Sequence, residues 1–169
     1  MYSSTKVKPS SIKELLINLD APQKFINWVE GKTLEEVYKM CKVGEWLAFL
    51  IFKNNNNINK DKLRSLTKKI SDTIQSIDKN KYNLNTINET INFSKKQTEN
   101  DDIEKYGDAS YIYSYSCYHA CCCYIQNYQK DKIIAEKLYI VSRKEKQLEI
   151  ANSIREIFSI ACFKIILNL

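Results

Sequence analysis

Glycine and proline are scarce in this chain, and that scarcity limits its possible folds more than any other feature. Only three Gly and two Pro occur in 169 residues. A β-sandwich or β-barrel needs many tight turns, and a doubly wound α/β fold needs a glycine-rich first loop. Hydrophobic residues nevertheless make up 44% of the chain, which is enough for a packed core. We therefore predict an all-α protein.

Helix-start signals divide the first third of the chain into short helices. Ser11 with Glu14, and Thr33 with Glu36, have the spacing of a capping box, in which each partner caps the backbone of the other. They predict helices from about residue 12 to 19 and from residue 34, with a helix after Pro22 between them. The segment 46–52 is apolar on every side, which predicts the buried centre of the fold.

Longer helices are predicted in the rest of the chain. Apolar residues three and four apart predict an amphipathic helix over 60–77, and a capping box at Thr86 predicts another. Tyrosines alternate with other residues near 111–115, as in a strand, but the run 106–128 has no turn signal and is too long for an ordinary strand, so we predict a helix. Together with a helix over 131–158, this gives a single-domain bundle of about six to eight helices over 11–169, after a disordered lead at 1–10.

The chain is basic, with 26 Lys and Arg against 20 Asp and Glu and a net charge of +6. Only three of the cations are Arg, the residue on which base-specific readers usually depend. The abundance of Lys, Asn, Ile and Tyr also fits an A- and T-rich coding bias. The densest basic cluster is a candidate partner-binding patch, although it also fits the exposed side of an amphipathic helix. It contains Lys60, Lys62, Arg64, Lys68 and Lys69.

The N-terminus lacks the apolar stretch of a signal peptide, and no apolar run approaches the roughly 20 residues that span a bilayer. We therefore expect a cytoplasmic protein without a membrane segment. In that reducing compartment the six cysteines are expected to be free thiols.

Four of the cysteines and the only histidine lie between residues 117 and 123. Cys and His are the usual zinc ligands, but on one helix Cys117 and Cys121 share a face that His119 does not, so four ligands do not converge. The alternative is that cysteine here acts as a small apolar residue in a close helix contact. We predict no metal, no cofactor and no catalytic residues, because no acid is evident to orient His119 towards a nucleophile.

The same predicted helix is rich in tyrosine. Such residues can fill the core, form a protein-binding face or stack on unpaired bases. The candidate partner-binding tyrosines are Tyr111, Tyr113, Tyr115 and Tyr118.

The stretch 28–50 carries Trp28, a Gly31-x-Thr33-Leu34 turn and helix start, Cys41, and then the triplet Glu45-Trp46-Leu47. This pattern resembles that of small helical proteins of phages and bacteria. The resemblance implies a gene carried by a phage or mobile element, and it implies no catalytic residues.

These features together predict a non-catalytic binding protein. In its most concrete form it inhibits a host defence nuclease or ribonucleoprotein, such as a CRISPR effector, by covering a guide, target or nuclease surface. Three alternatives stay open: an immunity-type protein that neutralises a toxin, a protein that binds RNA or single strands, and a metal or thiol sensor built on 117–123.

Overall fold

The structure is a computed structural model that describes residues 9–53 and 84–169. These residues form eight α-helices and no strand, which confirms the all-α prediction. Residues 1–8 of the predicted lead at 1–10 and the whole predicted helix over 60–77 lie outside the described residues. The helices are α1 (Ile12–Asn18), α2 (Gln23–Trp28), α3 (Leu34–Met40), α4 (Gly44–Lys53), α5 (Leu84–Thr98), α6 (Ser110–Tyr128), α7 (Lys132–Ile157) and α8 (Ile160–Leu167).

The predicted helix starts in the first third are confirmed at the level of individual caps. The Ser11 hydroxyl accepts a hydrogen bond from the Glu14 backbone N–H at 3.1 Å. The Glu14 carboxylate accepts from the backbone N–H and hydroxyl of Ser10 instead of from Ser11, so this capping box is only half formed. At α3 the capping box is complete. Thr33 Oγ1 accepts from the Glu36 N–H at 3.3 Å, and Glu36 Oε2 accepts from the Thr33 N–H at 2.7 Å.

Helix α4 lies at the centre of the main core, as the apolar segment 46–52 within it predicts. The side chains from Leu47 to Ile51 are fully buried. Gly44 begins this helix where it approaches α7, and a Cβ atom there would lie 2.5 Å from Ile150 Cγ2. Any larger residue would force the two helices apart, so glycine is needed here for close packing.

Helices α6 and α7 form the longest antiparallel pair, joined by a short connection. Asp131 caps α7 by accepting from the Ile133 and Ile134 N–H groups at 2.8 and 3.1 Å. A second, smaller apolar cluster lies between this pair and α5. In that cluster the Phe93 ring stacks on Tyr124 at 5.0 Å between centroids and meets Tyr139 edge-on at 5.3 Å.

Two boundaries differ from their predictions. Helix α5 includes Leu84, so Thr86 lies inside the helix, where its buried side chain cannot be an N-cap. The predicted helix 106–128 starts only at Ser110, because Gly107, with a φ of 52°, puts a kink into a separate 3₁₀ segment, Ile103–Ala109. Left-handed backbone at glycine breaks regular helix at no steric cost.

Candidate binding surface on helix α6

The structure separates the four candidate tyrosines. Tyr113 and Tyr115 are buried, whereas Tyr111 is 47% exposed and Tyr118 is half-buried. Tyr113 points into the protein, where its hydroxyl donates to Asp101 Oδ2 at 2.7 Å. The exposed part of the predicted tyrosine face therefore reduces to Tyr111 and Tyr118. The predicted basic patch over 60–69 lies outside the described residues.

Two adjoining pockets run along the outer side of α6, with volumes of about 270 and 180 Å³, and they share Tyr115 and Tyr118. Together they form a shallow channel, called here the α6 groove. Its lining residues are Tyr111, Ser114, Tyr115, Tyr118, His119, Cys122, Cys123, Gln126 and, from α7, Lys146. Most of the α6 residues recur at intervals of three and four, which places them on one side of a helix.

Lys146 is the one lining residue that α6 does not supply. A mixture of lysine and glutamate residues such as the one around Lys146 suits a solvated helix face, but Lys146 is only 7% exposed. Its ammonium bonds Glu149 at 2.5 Å and lies 5.7 Å from the centre of the Tyr115 ring. The aromatic ring covers the lysine stem, which a single-helix pattern cannot reveal.

Burial affects the titration of both His119 and the Cys122 thiol in this groove. Burial lowers the pKa of His119, and the charge of Lys146 lowers it further, against the opposing effect of Glu149 and Glu145. Burial also raises the pKa of the Cys122 thiol. A protonated thiol is a poor nucleophile and must lose its proton to bind a metal ion.

The cysteines of 117–123 are divided between the two sides of α6. Cys117 packs against the main core and Cys121 against the second cluster, whereas Cys122 and Cys123 line the groove. All six cysteines are free thiols. Over 9–53 and 84–169, no three His, Cys, Asp or Glu side chains come together as a metal site would require.

A buried polar cluster beneath α6 was not foreseen from the sequence. Asp101 Oδ2 accepts from Tyr113 and, at 3.3 Å, from Arg143, while its Oδ1 accepts from Lys24 at 2.5 Å. Burial raises the pKa of Asp101, but the hydrogen bonds from Lys24 and Tyr113 and the Arg143 charge outweigh it and hold that pKa below its usual value. Within this cluster the hydroxyl of Tyr113 is bonded inside the protein, so that this tyrosine does not face outwards.

Comparisons with protein families, characterised proteins and solved structures find no match to this chain. Within the described part of the chain, no helix is both long and apolar enough to cross a membrane. Only the geometry of the α6 groove therefore supports it as a candidate binding surface.

Proposed function

We propose that this protein acts by binding a protein or ribonucleoprotein partner through the α6 groove. The observation that carries the proposal is the placement of Tyr111 and Tyr118 along one open channel beside His119 and Lys146. Tyrosine supplies a large amphipathic contact area at low conformational cost and is enriched where binding energy is concentrated.

The rigidity beneath the groove supports this role. Tyr115 is buried between the groove and Lys146, and Gln147 of α7 donates to Ser116 Oγ at 2.7 Å, inside the helix pair. A surface held by packed helices loses little conformational entropy when a partner binds.

The partner class that we propose is a host defence nuclease or ribonucleoprotein, with a CRISPR effector as the most concrete case. The resemblance of residues 28–50 to proteins of phages and bacteria motivates this choice, and the net charge of +6 favours encounter with an acidic or nucleic-acid-bearing surface. Inhibition would follow from occlusion, because a bound helical body blocks access to the surface beneath it.

The experiment is an affinity capture with tagged protein from cells that naturally carry its gene, with and without nuclease, read by mass spectrometry. The proposal expects one defence effector to be retained after nuclease treatment. That effector should be lost with Tyr111→Ala combined with Tyr118→Ala. A matched control removes two exposed apolar side chains elsewhere, Met40→Ala and Ile165→Ala, and should retain it.

Two results would contradict the proposal. Loss of every partner on nuclease treatment would indicate a nucleic-acid-binding protein, whose affinity should then fall steeply with salt. Retention of the effector by the double tyrosine variant would show that the α6 groove is not the contact surface.

A further inference from the structure

Helix α7 exposes apolar side chains on a side that the α6 groove does not include. Five large residues are each between 38% and 65% exposed. They are Ile133, Ile134, Ile140, Val141 and Leu148, and with Lys137 and Lys144 between them they are called here the α7 stripe.

The spacing of these residues makes the stripe continuous. Ile133 and Ile140 are seven residues apart, and so are Ile134, Val141 and Leu148 in succession. A seven-residue step returns a side chain to within about 20° of its starting direction on a helix. The stripe therefore runs about 22 Å along one side of α7. One helix lying alongside can cover a straight apolar strip of this length, although the strip lacks the apolar residue every 3.5 positions that defines a coiled-coil seam.

The cations lie within the stripe and follow the same interval. Lys137 and Lys144 are both exposed and are also seven residues apart. Their aliphatic stems can lie along the apolar residues while the ammonium groups stay at the surface. A partner that covers the stripe is therefore favoured if it supplies negative charge at two points spaced two helical turns apart.

Charge disfavours the two occupants that this chain could supply. In a self-dimer through the stripe, antiparallel pairing sets Lys137 against Lys144, and parallel pairing sets each lysine against its own copy. The predicted helix over 60–77 of the same chain carries five cations and two acids. Like charges brought together in this way oppose association.

We propose that the α7 stripe is a docking surface for an acidic amphipathic helix of a partner protein. In this arrangement the apolar face of the partner packs on Ile140 and Val141, and its carboxylates pair with Lys137 and Lys144. The surface is distinct from the α6 groove, so the proposal does not depend on the function proposed above.

The test uses the full-length protein and two fluorescein-labelled helical peptides of about 21 residues, long enough to span the stripe. Both carry leucine at heptad positions. One carries glutamate beside the leucines and the other carries lysine at the same places. Fluorescence anisotropy should show the acidic peptide binding at least about tenfold more tightly than the basic one.

Reversing the charge of the two stripe lysines tests whether they select the acidic peptide. Lys137→Glu with Lys144→Glu should reverse the preference between the two peptides, and Val141→Ser should weaken the binding of both. Lys95→Glu with Lys96→Glu makes the same charge change on α5, where both lysines are exposed, and should leave the preference unaltered.

Three results would overturn the proposal. The first is failure of both peptides to bind. The second is a self-dimer in analytical ultracentrifugation that Ile140→Asp dissociates, which would make the stripe an interface between copies. The third is binding to vesicles of phosphatidylserine and phosphatidylcholine that the α7 charge exchange abolishes while neither peptide binds, which would indicate a lipid surface instead.

Discussion

Glu45 shows how one buried carboxyl can make stability depend on pH. The residue is 4% exposed, its backbone N–H donates to Gln147 Oε1 at 3.3 Å, and its Oε2 has no hydrogen-bond partner among the described residues. Burial raises the pKa of Glu45 to about 7, with the nearby charge of Arg143 opposing the shift and that of Asp101 adding to it. The unfolded chain keeps the ordinary value of 4.5.

We predict that the protein becomes less stable as the pH rises from 5 to 8. The folded state holds the Glu45 proton more tightly than the unfolded state, so the stabilisation is fully present below pH 4.5 and is lost as the pH approaches about 7. This difference between the pKa of Glu45 in the folded and unfolded states corresponds to about 3 kcal/mol in the free energy of unfolding. Urea unfolding at several pH values measures it.

Glu45→Gln should remove most of this dependence, because the amide does not ionise over the range. The exposed Glu104→Gln serves as the control and should follow the original profile. A Glu45→Gln profile as steep as that of the original protein would assign the pH dependence to another group.

At the scale of elements, the C-terminal end of α3 depends on a single side chain of α7. Arg155 Nε donates to the Tyr38 carbonyl at 2.6 Å, and its Nη2 donates to the Cys41 carbonyl. The last carbonyls of a helix have no partner within the helix, and a cation there also offsets the helix dipole. Tyr38 strengthens the joint by donating its hydroxyl to the Phe158 carbonyl at 2.9 Å.

Arg155→Lys should therefore lower the free energy of unfolding by about 2 kcal/mol, because one ammonium cannot span both carbonyls as a guanidinium does. Thermal or urea unfolding gives the value. Tyr38→Phe removes only the hydroxyl contact and should cost about 1 kcal/mol. Equal losses in the two variants would show that the two-carbonyl geometry of Arg155 is not what stabilises this joint.

At the scale of the whole molecule, Asp101 joins distant parts of the chain. Its carboxylate contacts Lys24 of α2, Tyr113 of α6 and Arg143 of α7, and the Arg143 guanidinium lies 4.9 Å from the centre of the Tyr113 ring. The contacts with Arg143 and Tyr113 are largely shielded from water. Loss of one partner would leave a partly buried positive charge uncompensated.

We expect Asp101→Asn to cost about 2 kcal/mol at pH 7 in urea unfolding. Because the pKa of Asp101 is lowered by folding, this difference should be present above the ordinary value of 3.8 and shrink as the pH falls below it. The adjacent Asp102→Asn is the matched control. Asp102 is exposed and pairs with Lys105 at 3.6 Å, so its substitution should lower the free energy of unfolding by no more than about 0.5 kcal/mol. Similar losses in the free energy of unfolding of the two variants would show that Asp101 stabilises the fold no more than an exposed aspartate does.

Local patterns were sufficient to predict the class of fold and several helix starts. The capping residues Ser11 and Thr33 act through bonds only three residues along the chain, so their geometry follows from the sequence alone. The same holds for the buried segment within α4, because a segment that is apolar on all sides has no face that prefers water.

The candidate surfaces depended on rotation and on distant partners, which a local pattern does not contain. Tyr111 and Tyr113 are two residues apart, so the helical period places them on opposite sides, but only contacts such as those of Tyr113 with Asp101 and Arg143 show which of the two faces inwards. Lys146 looks like a surface residue until the Tyr115 ring covers it. Residue type and spacing thus determined the helical class of the described residues and the caps at Ser11 and Thr33. Only the tertiary structure decided which side of each helix faces the solvent, because that choice rests on contacts between residues far apart in the chain.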